Sequence, residues 1–167
     1  TRNCTLQYGA AHVFVRSGAN WREQAVLHAA DAQMYWGQVG TAVSLAGDLA
    51  VVGDYQWYDG SGGYPGSAYV FARSGTTWTQ QAQLFSSDNE INAYFGNSVS
   101  VSGTTVAVAA PYKTVSSHTY QGAVYVFAQA GTNWPLQQTI TSTDSTDYSS
   151  FGGSPGAGAG ISLSGST

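Results

Sequence analysis

Gly9-Ala-Ala-His-Val-Phe-Val-Arg-Ser-Gly-Ala-Asn-Trp21 is written again as Gly66-Ser-Ala-Tyr-Val-Phe-Ala-Arg-Ser-Gly-Thr-Thr-Trp78. It returns once more as Gly122-Ala-Val-Tyr-Val-Phe-Ala-Gln-Ala-Gly-Thr-Asn-Trp134. The copies lie 57 and then 56 residues apart. A fixed period of that size marks one supersecondary unit, copied and stacked, which cannot bury its apolar surface alone.

Around each copy the chain resolves into short strand candidates, named A to D in the order of a complete unit. Strand A covers 41–46, 97–102 and 159–164, where Val43-Ser44-Leu45, Val99-Ser100-Val101 and Ile161-Ser162-Leu163 alternate with one apolar face. Gly47-Asp48, Gly103-Thr104 and Gly165-Ser166 follow. Gly at the first place of a two-residue loop suits a type II′ hairpin, which needs φ > 0 there. Strand B (49–52 and 105–109) and strand C (11–15, 68–72 and 123–128) include runs apolar on both faces, such as Tyr69-Val70-Phe71. Such strands require cover on both sides. Strand D begins at Trp21, Trp78 or Trp134 and is rich in Gln. Pro135 cannot donate to a ladder, so D belongs at a sheet edge near a strand start. Recurrence of the Trp predicts one shared core-packing role, and no helix is indicated.

Four-stranded antiparallel sheets at this spacing, apolar on both faces, are β-propeller blades. A sandwich of the same strands would not demand a strict period. The expected fold class is therefore all-β. The stretch Phe95-Gly-Asn-Ser-Val-Ser-Val-Ser-Gly103, followed by Val106-Ala-Val-Ala-Ala-Pro111, resembles the FG-GAP repeat, the blade unit of integrin-α-type propellers. Gly122–Phe127 with Trp134 resembles the second half of that unit. The resemblance covers nearly the whole chain beyond residue 8 and implies a seven-bladed wheel when the array is complete. The first copy departs from it, with Val39-Gly40 for Phe-Gly and Asp54-Tyr55 for Ala-Pro; the third carries extra residues, Gly153–Gly158. On this pattern residues 1–8 form an N-terminal extension and 9–30 a partial blade of strands C and D. Residues 40–84 and 96–140 form whole blades, and 159–167 begin another. Two whole blades flanked by two partial ones make an incomplete segment of a wheel. Its bare faces call for further blades of the same chain or for self-association.

At 167 residues, 43% hydrophobic and 13% aromatic, the chain can bury a core and is not a disordered polymer. Its net charge of −4, with Lys113 as the single lysine, disfavours nucleic acid and anionic membranes as partners. No apolar run reaches the ~18–20 residues of a membrane-spanning helix. Few charges with many hydroxyls, Gly and Tyr suit an extracellular or cell-surface location. Asn3-Cys4-Thr5 is a glycosylation sequon, with Asn3 the acceptor, and the lone Cys4 reads either as a small residue near the chain end or as half of a disulfide whose partner lies outside these 167 residues.

Calcium is held by several blades of the FG-GAP family in acidic A–B loops, but here those hairpins are only two residues long. The family's metal site is therefore not carried over, and no cofactor is expected. Asp88-Asn89-Glu90-Ile91-Asn92 is a weaker oxygen-rich loop, read chiefly as a solvated D–A connection. The most unusual stretch is the B–C loop from Asp54 to Pro65. Its Tyr55, Trp57, Tyr58, Asp59 and Tyr64 suit a protein-contact patch, a glycan platform, or simple packing over a neighbouring blade. His12, His28 and His118 share no metal-ligand or catalytic spacing, no Gly-x-Ser-x-Gly elbow occurs, and the Gly runs lack the Lys-Ser/Thr of a phosphate loop. The expected role is thus non-catalytic: an extracellular structural or adhesive scaffold presenting loops to a protein partner. The alternatives are a carbohydrate-binding propeller, or the propeller part of a larger secreted enzyme.

Overall fold

The computed structural model describes residues 9–30, 37–60, 62–143, 146–154 and 160–165. Asn3 and Cys4 lie outside these residues. The described part is all-β. Strands β1 (Ala11–Ser17) and β2 (Asn20–Leu27) form a two-stranded sheet. Strands β3 (Ala42–Ala46), β4 (Leu49–Asp54), β5 (Ser67–Ser74) and β6 (Thr77–Leu84) form a four-stranded sheet in sequence order. Strands β7 (Ser98–Ser102), β8 (Thr105–Ala110), β9 (Ala123–Ala128) and β10 (Leu136–Thr141) repeat it. Every pairing within the sheets is antiparallel, so each four-stranded sheet is a meander of strands A to D.

Local chemistry sets the turns. Gly47 and Gly103 have φ of 59° and 56°, while Asp48 and Thr104 do not have positive φ, in keeping with a type II′ hairpin. Each strand D carries one extra residue at the same place, opposite the Val-Phe step of strand C. The inserted residue is Gln24, Gln81 or Gln137, so the recurrent Gln marks a β-bulge. A bulge twists the outer edge and blunts its capacity to pair with another chain.

The core sits between sheets. One cluster joins Val51, Ala68, Val70 and Leu84 of the first four-stranded sheet to Val99, Val101, Val106, Tyr125 and Phe127 of the second. Another joins Ala11 and Leu27 to Ala50, Val52, Tyr69 and Phe71. Adjacent residues of β4 and β5 thus face opposite neighbours, which is why these strands are apolar throughout. Phe95 enters the junction from the D–A loop. It is fully buried, edge-on to Tyr125 (5.3 Å, 66°) and Phe127 (6.2 Å, 89°). Gly96 follows with φ 92°, and a Cβ there would meet the Ser67 carbonyl oxygen at 2.1 Å. Only glycine lets the two backbones approach so closely.

A repeated polar link accompanies the apolar one. The Val101 N–H donates to Ser44 Oγ (3.0 Å), and the Leu163 N–H donates to Ser100 Oγ (2.8 Å). The central serine of strand A therefore ties each inner strand to the next.

Three expectations need correction. Residues 160–164 are not a strand; Ser98 and Ser100 hold them through the Gly160 and Leu163 amides. The third strand D starts at Leu136 rather than at Trp134, since Pro135 delays the ladder. Nor do the three tryptophans share one environment. Trp134 is buried in the inter-sheet cluster, Trp78 is half-buried with its Nε1–H donating to Gln24 Oε1 (3.1 Å), and Trp21 is exposed. Trp78 packs on the sheet before its own and Trp134 in the cluster shared with the sheet before its own, whereas Trp21 has no described sheet before it.

Candidate functional site

In a meander the B–C and D–A loops fall at one end of every sheet, and the A–B and C–D turns at the other. The loop end gathers most of the described tyrosines. Tyr55 of the first four-stranded sheet meets Tyr94 of the next D–A loop (5.5 Å, 71°). Tyr94 meets Tyr112 (5.2 Å, 33°), and Tyr112 stacks on Tyr120 (4.5 Å, 16°). Tyr120 in turn meets the exposed Tyr148 edge-on (5.5 Å, 85°). Five tyrosines thus form one continuous row crossing from sheet to sheet.

The backbone holds this row in place. Amide N–H groups of Asn92 and Phe95 donate to the Tyr64 and Pro65 carbonyls (both 3.0 Å). One junction later, those of Tyr148, Ser150 and Phe151 donate to the carbonyls of Thr119, Tyr120 and Gln121 (2.8, 3.0 and 2.8 Å). Tyr94, Tyr120 and Tyr148 have φ of 57°, 55° and 61°. A non-glycine residue in that region costs roughly 1–2 kcal/mol and persists only where its surroundings enforce it. Burial, followed by the nearby Tyr112, Tyr55, Tyr120 and Tyr64, raises the Tyr94 phenol above its ordinary range.

Beside the row, Lys113 ties the B–C loop to the preceding D–A loop. Its ammonium bonds Asp88 (2.7 Å) and Glu90, and the Thr114 N–H donates to Glu90 Oε1 (3.2 Å). Burial acts to raise the Asp88 carboxyl, but the hydrogen bond and charge of Lys113 outweigh it and hold the carboxyl low. Burial likewise acts to lower Lys113, and the two carboxylates more than reverse it. In the loop read as a weak calcium candidate, Asp88 and Glu90 face Lys113 and Asn92 accepts the Tyr64 N–H, so protein donors engage these groups. Among the described residues no three His, Cys, Asp or Glu side chains form a metal-holding group.

The five candidate residues of the 54–65 loop do not converge on one spot. Tyr55 joins the row, and Tyr58 and Tyr64 pair with each other (6.0 Å, 57°). Asp59 accepts a hydrogen bond from Asn89 (2.7 Å). Trp57 is buried against Phe85 (4.8 Å), so its ring packs rather than faces solvent. Asp54 is buried and accepts the Gln38 N–H (2.8 Å), tying its sheet to the preceding D–A connection. Sequence reasoning confined any site to the 54–65 loop, and so missed Tyr94, Tyr112, Tyr120 and Tyr148. For Tyr94 and Tyr148 the signal was a Tyr shortly before Phe95-Gly96 and before Phe151-Gly152.

Charge also separates along the strands. Among the described residues the loop end holds Asp59, Asp88, Glu90 and Asp147 at its surface, with Lys113 between Asp88 and Glu90 and His118 3.4 Å from Asp147, while the turn end holds Arg16 and the Arg73–Asp48 pair (2.6 Å). The loop end is therefore aromatic and acidic.

A family model described as the FG-GAP repeat matches residues 21–71 and 78–127. Each matched span runs from strand D of one sheet through strands A, B and C of the next, so the sequence unit straddles the junction between blades. No curated protein matches the chain.

Proposed function

Since the chain belongs to the FG-GAP repeat family and is built of β-propeller blades, we propose that it is a non-catalytic extracellular module that presents its loop end to a protein partner. The tyrosine row carries this reading. Tyrosine gives a large, rigid contact area with a polar tip and loses little side-chain entropy on ordering, which is why it is enriched at binding hot spots. Sheets packed on both faces provide the rigid base, and loops placed on such a base commonly hold binding residues. The acidic surroundings favour a partner with basic groups, which tyrosine faces also attract. FG-GAP repeats occur in extracellular proteins, and the low charge and hydroxyl-rich composition agree with that setting.

The test is adhesion of cells or immobilised surface proteins to the purified chain. Replacing Tyr112 and Tyr120 by Ser is expected to reduce adhesion about tenfold or more, as loss of a central aromatic pair does. Arg73→Ala, at the opposite end, leaves it unchanged. Equal adhesion by both variants would refute the assignment of the loop end. Loss of glycan-array binding in the tyrosine variant, with protein adhesion intact, would establish the carbohydrate reading instead.

A further inference from the structure

Four tyrosines crowd around a fifth at the loop end. Burial first, and then Tyr112, Tyr55, Tyr120 and Tyr64, keep the Tyr94 phenol protonated above its ordinary range. All five rings are half-buried, so each keeps part of its surface in solvent. Among the described residues none of their hydroxyls has a protein hydrogen-bond partner, whereas the buried Tyr69 hydroxyl accepts from Gln83 Nε2 (3.2 Å). The face therefore offers uncommitted phenol donors set between aromatic surfaces. Backbone bonds such as Phe95 N–H to the Pro65 carbonyl (3.0 Å) hold the loops in place, so a ligand would dock with little reorganisation.

Ring spacing narrows what fits. Tyr55 lies 5.5 Å from Tyr94 at 71°, and Tyr94 lies 5.2 Å from Tyr112 at 33°, so the surface is notched rather than flat. Two such steps are commensurate with the ~9 Å turn of a polyproline II helix, in which every third residue returns to the same face. That helix has no internal hydrogen bonds, so its carbonyls can accept from phenols. Charge narrows the choice further. Asp59, Asp88, Glu90 and Asp147 outnumber Lys113 and His118 beside the row. An arginine guanidinium both stacks on tyrosine and forks to a carboxylate.

Resting on the loop-end reading above, we infer that the tyrosine row docks a proline-rich, arginine-bearing segment of a partner protein, held as a polyproline II helix. Prolines one turn apart sit against the rings, as they do in other aromatic-lined grooves. The phenols donate to the carbonyls between those prolines. Arginines of the segment meet the flanking carboxylates, which sets its direction along the row. The preformed helix loses little entropy on binding, so modest contacts suffice.

The experiment titrates the 167-residue chain with a capped synthetic peptide of repeated Pro-Pro-Arg triplets, followed by calorimetry. Saturable binding is expected, weakened about tenfold or more when glycine replaces the prolines or glutamate replaces the arginines. Tyr112→Phe keeps the ring and removes one donor, so it should keep the melting temperature and weaken the peptide about two- to tenfold. Replacing Tyr112 and Tyr120 by Ser should weaken it about tenfold or more, and Arg73→Ala should leave it unchanged. The inference is overturned by absence of saturable binding, by indifference to either tyrosine variant, or by equal affinity for the glycine or the glutamate peptide. If the peptide fails to bind while the Ser replacements still reduce adhesion, the proline-rich ligand is wrong and the loop-end reading stands. If neither effect is seen, both are wrong.

Discussion

Phe95→Ala tests whether the junction between blades, rather than each sheet alone, holds the molecule together. Phe95 is fully buried among Val99, Val101, Tyr125 and Phe127, with two edge-on ring contacts. Truncating such a ring removes its transfer free energy and leaves a cavity that packed sheets cannot collapse, at a cost of about 3–5 kcal/mol. That is a large share of the ~5–15 kcal/mol that stabilises an ordinary domain. Phe151 occupies the same motif position but is only half-buried, against Ala107, Ala109 and Val124. Phe151→Ala should therefore cost about half as much or less, ~1–2 kcal/mol. The assay is urea unfolding followed by tryptophan fluorescence. With a slope near 2 kcal/mol per molar, Phe95→Ala lowers the midpoint by about 2 M and Phe151→Ala by under about 1 M. Equal losses, or a loss below ~1.5 kcal/mol for Phe95→Ala, would show that the stacking argument is wrong.

Three further outcomes follow from the same geometry. Gly96→Ala forces a Cβ to within 2.1 Å of the Ser67 carbonyl oxygen, so it is expected to abolish the cooperative thermal transition; Gly103→Ala, with open space around it, should cost only about 1–2 kcal/mol. Ser44→Ala removes the acceptor of the Val101 N–H, so hydrogen exchange at that amide should accelerate by up to about tenfold while the Leu163 amide is unaffected. The pH dependence has a defined sign. The folded Asp88 carboxyl titrates below its unfolded value of about 3.9, so its stabilisation is present above that pH and is lost as pH falls through the folded value. Lys113, Tyr94 and Tyr125 are raised in the folded state. Their contributions are present below pH ~10 and are lost as pH rises through the folded values. In melting curves across pH, Lys113→Met should flatten the acid limb and Tyr125→Phe the alkaline limb; unchanged limbs would refute these assignments.

Much of the fold was legible because its cues are local. Period-two alternation in Val99-Ser100-Val101, glycine at the hairpin turns and apolar runs at Tyr69–Phe71 each reflect backbone sterics or two-sided burial, and neighbouring residues in the chain report both. The candidate site was legible only in part. Tyr55 and Tyr64 stood out by composition, but Tyr94 and Tyr148 lie in other loops, and only stacking of the sheets brings them into the row with Tyr112 and Tyr120. Trp57, the most conspicuous candidate in its loop, packs on Phe85 because that loop folds back over its own sheet.

The amino-acid sequence by itself determined the repeat, the strand order, the hairpin turns and the need for cover on both faces. Tertiary structure decided which copy of each residue receives that cover. Trp21 and Trp134, Val43 and Val99, and Phe14 and Phe71 occupy matching places in the period, yet one of each pair is exposed and the other buried. The reason is physical: burial in a stacked array depends on the neighbouring unit, and no reading of one copy contains its neighbour.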